Sequence, residues 1–172
     1  MARDPLANPA PLIRRVYAYV AYRVGDGPEA EDVTSETFER ALRYRDSYDA
    51  RRGEPVAWLI GIARRCIEGA RLRPGVLVEA EDLLDPLDLE AAAIERLTLE
   101  QAVQQLDERD RELIALRYGS DLSARQIAEV LELRTNAVEV ALHRALARLR
   151  ELLEGAEADA GEARLTARLG TV

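Results

Sequence analysis

The sequence has one cysteine, one histidine and no lysine. A structural zinc site takes about four ligands, usually Cys and His, and Cys66 and His143 make no such cluster. A lone cysteine forms no internal disulfide, which fits a reducing compartment. No apolar run approaches the roughly 20 residues of a membrane span. Met1 to Pro11 holds three prolines and no long apolar stretch, so it does not read as a signal peptide. Aromatic residues are only 5% of the chain, and glycine and proline are sparse. These absences predict a cytoplasmic protein with no membrane insertion, no metal and no cofactor. Ala, Leu, Glu and Arg remain in abundance, all good helix formers. Apolar residues reach 48% of 172, enough for a buried core in one ordinary domain or two small ones.

All 24 basic residues are arginine, against 32 acids, for a net charge of -8. Nucleic-acid partners usually carry the opposite sign, but the charge is uneven. Residues 1–73 hold 13 arginines and 11 acids, whereas 74–98 hold 1 arginine and 7 acids. Residues 99–154 carry 8 arginines and 11 acids. The acidity is concentrated in a linker-like middle segment. Arginine pairs bidentately with phosphate or guanine; GC-rich codon usage is the simpler account of its monopoly.

Helical spacing recurs along the chain. Leu12, Val16, Tyr19 and Val20 mark a first helix to Val24, broken by Gly25-Asp26-Gly27-Pro28. A second starts near Glu29, with acids in its first turn, where the dipole favours them. Its apolar face is Val33, Phe38, Ala41 and Leu42. A polar loop follows over 44–54. A third helix spans 55–73, with Pro55 near its first turn and Pro74-Gly75 after it. Four more helices are expected at 94–105, 107–118, 123–131 and 135–153, with Gly155 closing the last. Asp107 and Ser123 are candidate N-caps, and Gln126 completes a capping-box pattern with Ser123. The expected fold is all-α, with two small helical domains. The divisions are an arm at 1–11, a domain at 12–73, an acidic linker at 74–93, a domain at 94–154 and a disordered tail at 155–172.

Residues 124–143 have helix-turn-helix spacing. Ala128 is small where two helices cross closely. Ile127, Leu131, Leu133, Val138 and Leu142 would lock the crossing, so that the second helix can enter a major groove. An ordinary αα-hairpin has the same spacing. Outward candidates are Arg134, Thr135, Asn136, Glu139, Ala141, His143 and Arg144, with Ser123, Arg125 and Gln126 placed for phosphates. Glu132 stands in the turn where many such motifs have glycine. A left-handed residue there costs on the order of 1 kcal/mol.

Three stretches resemble the fourth-region domain of sigma factors of bacterial RNA polymerase: Leu106 to Tyr118, Leu122 to Leu131 and Leu142 to Leu149. Glu29 to Leu42 resembles the second-region helix that binds the polymerase core, and Ala57 to Arg64 the helix behind it. The ordered set covers about 130 residues, with no room for a third-region domain. The chain is thereby similar to sigma factors of the extracytoplasmic-function type.

The resemblance implies core polymerase and promoter DNA as partners. An anti-sigma factor, which many relatives have, is a further candidate that the sequence does not identify. Asp32, Glu36, Thr37 and Glu39 become candidates for the polymerase contact; a solvated acidic face is the plain alternative. In similar proteins the 44–54 loop and the following helix capture the −10 element, flipping a base out of the non-template strand. Tyr44, Tyr48, Arg51 and Arg52 are of the stacking and cationic types this needs. Arg64, Arg65, Arg71 and Arg73 suit phosphates. The −35 element falls to Ser123, Arg125, Gln126, Arg134, Thr135, Asn136, Glu139, His143 and Arg144. Trp58 and Cys66 read as core, with base stacking the other reading of Trp58 and a redox-sensing thiol that of Cys66.

The chain departs from the family at Arg65, where Asn is common, and at Gly69, where Asp is common. It has Glu139 and Ala141 where Lys and Arg are usual. Glu139 can accept from cytosine N4, but it repels phosphate. The alternative function is therefore a polymerase-binding regulator with weak or atypical promoter reading. No nucleophile–base set or phosphate loop supports an enzyme.

Overall fold

The computed structural model describes residues 4–71 and 90–169. Arg73 and most of the acidic linker lie outside the described residues. Among those described there are helices and no strands.

Three helices build the first half. α1 (Pro9–Val24) opens on a proline, whose missing N–H costs nothing at the first turn. It buries Val16, Tyr19, Val20 and Arg23, one stripe at helical spacing. It begins inside the expected arm, and Leu6 of that arm packs on the core. Gly25 ends it with φ +99°, and its N–H donates to Ala21 O at 2.9 Å. α2 (Pro28–Arg43) carries Glu29 and Glu31 in its first turn. Its buried side is Ala30, Val33, Thr34, Thr37 and Ala41. Leu42, expected on that side, is 59% exposed, because the stripe turns past it after Ala41. The 44–54 loop holds two short 3-10 turns, Arg45–Ser47 and Ala50–Arg52. α3 (Pro55–Arg71) buries Val56, Leu59, Ile60, Ala63, Cys66 and Ile67. Cys66 is core, as expected.

The second half has α4 (Glu90–Gln105), α5 (Glu108–Ile114), α6 (Ala124–Leu131) and α7 (Thr135–Leu169). Asp107 caps α5 by accepting from Asp110 N at 2.8 Å. After α5 the chain widens into a π turn, Ala115–Gly119. Ser123 and Gln126 form the expected capping box: Ser123 N–H donates to Gln126 Oε1 at 2.8 Å, and Gln126 N–H to Ser123 Oγ at 3.3 Å. α7 does not stop at Gly155, as the sequence suggested, but continues to Leu169. The two helix-interior glycines, Gly155 and Gly161, cost only about 1 kcal/mol each, and the Ala/Glu/Arg composition around them contains no proline to end the helix.

Both halves share one core. Tyr19, Leu59 and Ile60 of the first half cluster with Leu113, Leu116, Leu122 and Ile127 of the second. A second cluster joins α4, α5 and α7 through Ala102, Val103, Leu106, Ile114, Ala145 and Leu149.

Glu132 adopts the left-handed geometry the turn requires, φ 55° and ψ 40°. Glu132→Gly relieves that strain but adds freedom to the unfolded chain. The net expected effect is a stabilisation of a few tenths to about 1 kcal/mol, read as a small rise in the urea midpoint at unchanged m-value.

Candidate polymerase and nucleic-acid interface

The polymerase candidates divide along α2. Asp32 and Glu39 are exposed, seven residues apart and so on one helix face. Glu36 lies between them, half-buried, and accepts from Arg40 at 2.6 Å. Thr37 does not belong with them. It is fully buried and its hydroxyl donates to Val33 O at 2.7 Å. An α-helix turns by about 100° per residue, which carries Thr37 onto the Val33 stripe and away from Glu36.

The loop before α3, the start of α3 and the end of α6 make a cavity lined by Tyr48, Arg52, Gly53 and Trp58 on one side and Glu129 and Val130 on the other. The Tyr48 and Trp58 rings lie 5.5 Å apart at 58°, a tilted pair of the kind aromatic quadrupoles favour. The Tyr48 hydroxyl donates to Gly53 O at 3.0 Å and fixes the ring. Trp58 is therefore only half core; its other side meets Tyr48. Tyr44, Arg52 and Arg65 are exposed, and the Arg52 charge acts on Asp49. Arg51 is exposed too, but pairs with Asp49 at 3.1 Å. The Arg51 side-chain hydrogen bond is the main cause holding the Asp49 carboxyl below the usual carboxylate range.

Two arginines expected to face DNA are turned to the second half of the chain instead. Arg64 pairs with Glu112 at 2.8 Å and donates to Val130 O at 3.3 Å. Arg71 pairs with Glu108, and its hydrogen bond is the largest cause lowering that carboxyl's pKa. Arg23 joins the group, bonding Glu108 at 3.1 Å and Glu112 at 3.5 Å. The buried Tyr19 hydroxyl donates to Glu112 at 3.2 Å. Burial first, and the Glu112 charge second, push the Tyr19 phenol well above its ordinary value. Arg23 and Glu112 did not emerge from sequence reasoning. The one available signal was a charge at a core position: Arg23 falls seven residues after Val16 on the buried stripe of α1.

α6 and α7 form the expected helix-turn-helix. Ile127, Ala128, Val138 and Leu142 are buried at the crossing. Leu133 N–H donates to Ala128 O at 2.9 Å across the turn. Arg134, Asn136, Glu139, His143 and Arg144 are exposed, and Thr135 is half-buried at the helix start. Asn136, Glu139 and His143 recur at helical spacing, so one face presents a neutral amide, a carboxylate and an imidazole. Ser123 and Gln126 are engaged in their cap. Arg125 pairs with Glu129 at 3.3 Å.

Two family models match in chain order: sigma-70 region 2 over residues 11–73 and sigma-70 region 4 over residues 96–149. Among curated relatives, the ECF RNA polymerase sigma factor SigL of Mycobacterium tuberculosis is 31% identical over 147 residues, covering 81% of this chain and 82% of SigL.

The chain belongs to the sigma-70 family, in its extracytoplasmic-function group.

Other sigma factors of the group agree. BldN of Streptomyces coelicolor is 33% identical over 147 residues, and the match covers 80% of this chain but only 56% of BldN. SigW of Bacillus subtilis is 28% identical over 169 residues, covering 88% of this chain and 90% of SigW. In three dimensions the chain resembles CnrH, solved in complex with the cytosolic domain of CnrY: TM-score 0.61, 26% identity, 85% of this chain and 82% of CnrH. It shares its fold with the sigma factor RpoE of Bartonella quintana, solved with the anti-sigma factor NepR: TM-score 0.63, 22% identity, 83% of this chain and 92% of RpoE. No described helix of this sigma-family chain is long and apolar enough to cross a membrane.

Proposed function

We propose that this protein is the promoter-specificity subunit of a bacterial RNA polymerase. It docks on the core enzyme through the exposed acidic face of α2, reads the −35 element with α7 and opens the −10 element with the 44–54 loop and α3. Catalysis stays with the core enzyme. The observation that carries the reading is the ordered pair of modules, each presenting a usable polar surface. The Tyr48–Trp58 cavity suits the −10 step. Stacking on an aromatic ring contributes about 1–3 kcal/mol per base, which offsets part of the cost of pulling a base from the duplex. Divided between residues, the −10 strand falls to Tyr44, Tyr48, Arg51, Arg52, Arg64, Arg65, Arg71 and Arg73. The −35 duplex falls to Ser123, Arg125, Gln126, Arg134, Thr135, Asn136, Glu139, His143 and Arg144. An anti-sigma factor is a natural further partner, since both CnrH and the Bartonella RpoE were solved with bound partners.

Permanganate footprinting of holoenzyme on a mapped promoter tests the melting step. The native protein should make −10 thymines reactive. Tyr48→Ala should reduce that reactivity roughly tenfold or more, as loss of one stacking contact implies, while polymerase binding is retained. Undiminished reactivity would remove Tyr48 from the step.

Exposed Glu139 on the reading face favours a second reading, a polymerase-binding regulator with weak promoter recognition. In that case Glu139→Ala raises affinity for promoter fragments in the holoenzyme, by removing a charge that repels phosphate.

A further inference from the structure

The outer side of the second helix of the helix-turn-helix carries an acid where a DNA-facing surface would be expected to carry a cation. Asn136, Glu139, Val140 and His143 follow the spacing that puts residues on one helix face. All four are exposed, Val140 by 51%. Val138, Leu142 and Ala145 are buried on the other side. The face begins one residue into α7, where recognition helices contact base edges. Its backbone is held in place. The Ala137 and Val138 N–H groups donate to Arg134 O at 3.0 and 3.1 Å, and the Leu133 N–H ties the turn to α6 through Ala128 O.

Arginine or lysine on guanine is the commonest base-specific contact, and these four positions hold neither. Their one acid, Glu139, has no hydrogen bond or ion pair among the described residues. Other acids of this half are engaged: Glu129 pairs with Arg125 and Asp110 with Arg148. Glu139 thus holds no part of the fold together and points an open carboxylate outward. A carboxylate accepts hydrogen bonds and donates none. Only two base groups donate in the major groove, cytosine N4–H2 and adenine N6–H2. Adenine sets the acceptor N7 beside its amino group, which opposes the second carboxylate oxygen. Guanine and thymine offer that groove acceptors alone. Cytosine is the one base whose groove edge offers a donor and no acceptor.

We infer that Glu139 is a specificity determinant: it accepts a hydrogen bond from the N4 amino group of one cytosine in the −35 element and makes that C·G pair a requirement. The inference rests on the −35 assignment of α7 proposed above and adds the base that this position demands. The charge that selects cytosine also repels phosphate. One residue therefore lowers affinity for every sequence and raises discrimination among them. Arg134 and Arg144, exposed at either end of the face, bring the opposite charge to the phosphates. Selectivity comes from the penalty of a wrong base against Glu139, not from tight binding overall.

The test lets holoenzyme select from duplexes randomised over the length of a promoter, with the bound sequences then read out. Native protein, Glu139→Gln and Glu139→Ala are compared; the side chain is exposed, so all three should melt at the same temperature. Native holoenzyme should enrich an upstream block with one position where cytosine exceeds guanine or thymine by about tenfold or more, the size of a good base contact. Glu139→Gln keeps the length of the side chain and adds a donor, the pairing suited to adenine N6 and N7. At that position alone the preferred base should change from cytosine to adenine. Glu139→Ala should leave the position without preference while the rest of the block keeps its own. The same cytosine selected by all three proteins would overturn the inference and leave the −35 assignment standing. So would a gain in binding by Glu139→Ala that is equal on all sequences, because the carboxylate would then act by repulsion alone. A native selection with no upstream block would remove the −35 assignment, and the inference with it.

Discussion

Leu116→Ala should lower the unfolding free energy by roughly 2–5 kcal/mol, the range for a buried leucine whose site cannot fully collapse. Leu116 is fully buried, sits in the π turn and belongs to the cluster that also holds Tyr19, Leu59 and Ile60. The loss combines the transfer of the removed methyl groups with the contacts left unmade around the void. The probe for this variant is Trp58, the sole tryptophan, which lies in the other half of the chain. A substitution in the second half should therefore shift the fluorescence transition of the first. For a chain of this size each kcal/mol corresponds to about 2–4 °C, so the Trp58 melting midpoint should fall by roughly 4–20 °C. A Trp58 transition that stays put while the helical signal of the second half melts early would show that the halves unfold independently.

The second large effect is on partner binding. Asp32→Arg with Glu39→Arg should weaken the complex with core polymerase by on the order of a hundredfold or more. Two charges on one helix face change sign, and like charges facing a complementary surface cost several kcal/mol. Residues that anchor an interface typically cost about 2 kcal/mol or more each. Both side chains are exposed and neither makes an ion pair among the described contacts, so the fold should be untouched. Thermal stability within about 0.5 kcal/mol of native, the usual range for such surface changes, together with lost co-purification of core polymerase, is the expected pair of results. Thr37→Ala is the contrasting variant. It should leave polymerase binding unchanged, because that hydroxyl bonds Val33 O inside the helix.

What was legible in the sequence was local. The capping box at Ser123 and Gln126, the breaker at Gly25–Pro28, the cap at Asp107 and the helix-turn-helix crossing at Ala128 all depend on residues within a few positions of each other. Each appears in the structure as read. Glu132 was legible too, because a left-handed turn is set by local geometry. Thr37 reads as polar in the sequence yet sits on the apolar side of α2, because its hydroxyl bonds the carbonyl four residues back. Gly155 does not stop α7, since no proline accompanies it. The Arg23–Glu108 and Arg64–Glu112 pairs join residues 85 and 48 positions apart, and no short-range pattern announces such a contact. The same distance hid the fact that two arginines read as DNA contacts have protein partners in this state. The candidate site was thus legible as residue types, while its availability depended on tertiary contacts.

The central claim is that this member of the sigma-70 family directs initiation. Run-off transcription with core polymerase reconstituted with the purified protein, on a fragmented genomic template followed by mapping of the 5′ ends, tests it most directly. The account predicts discrete start sites that require the added protein and share sequence at two positions centred about 25 base pairs apart, roughly 85 Å of duplex. A protein that binds core polymerase in the same assay yet yields no start site above core enzyme alone would contradict it.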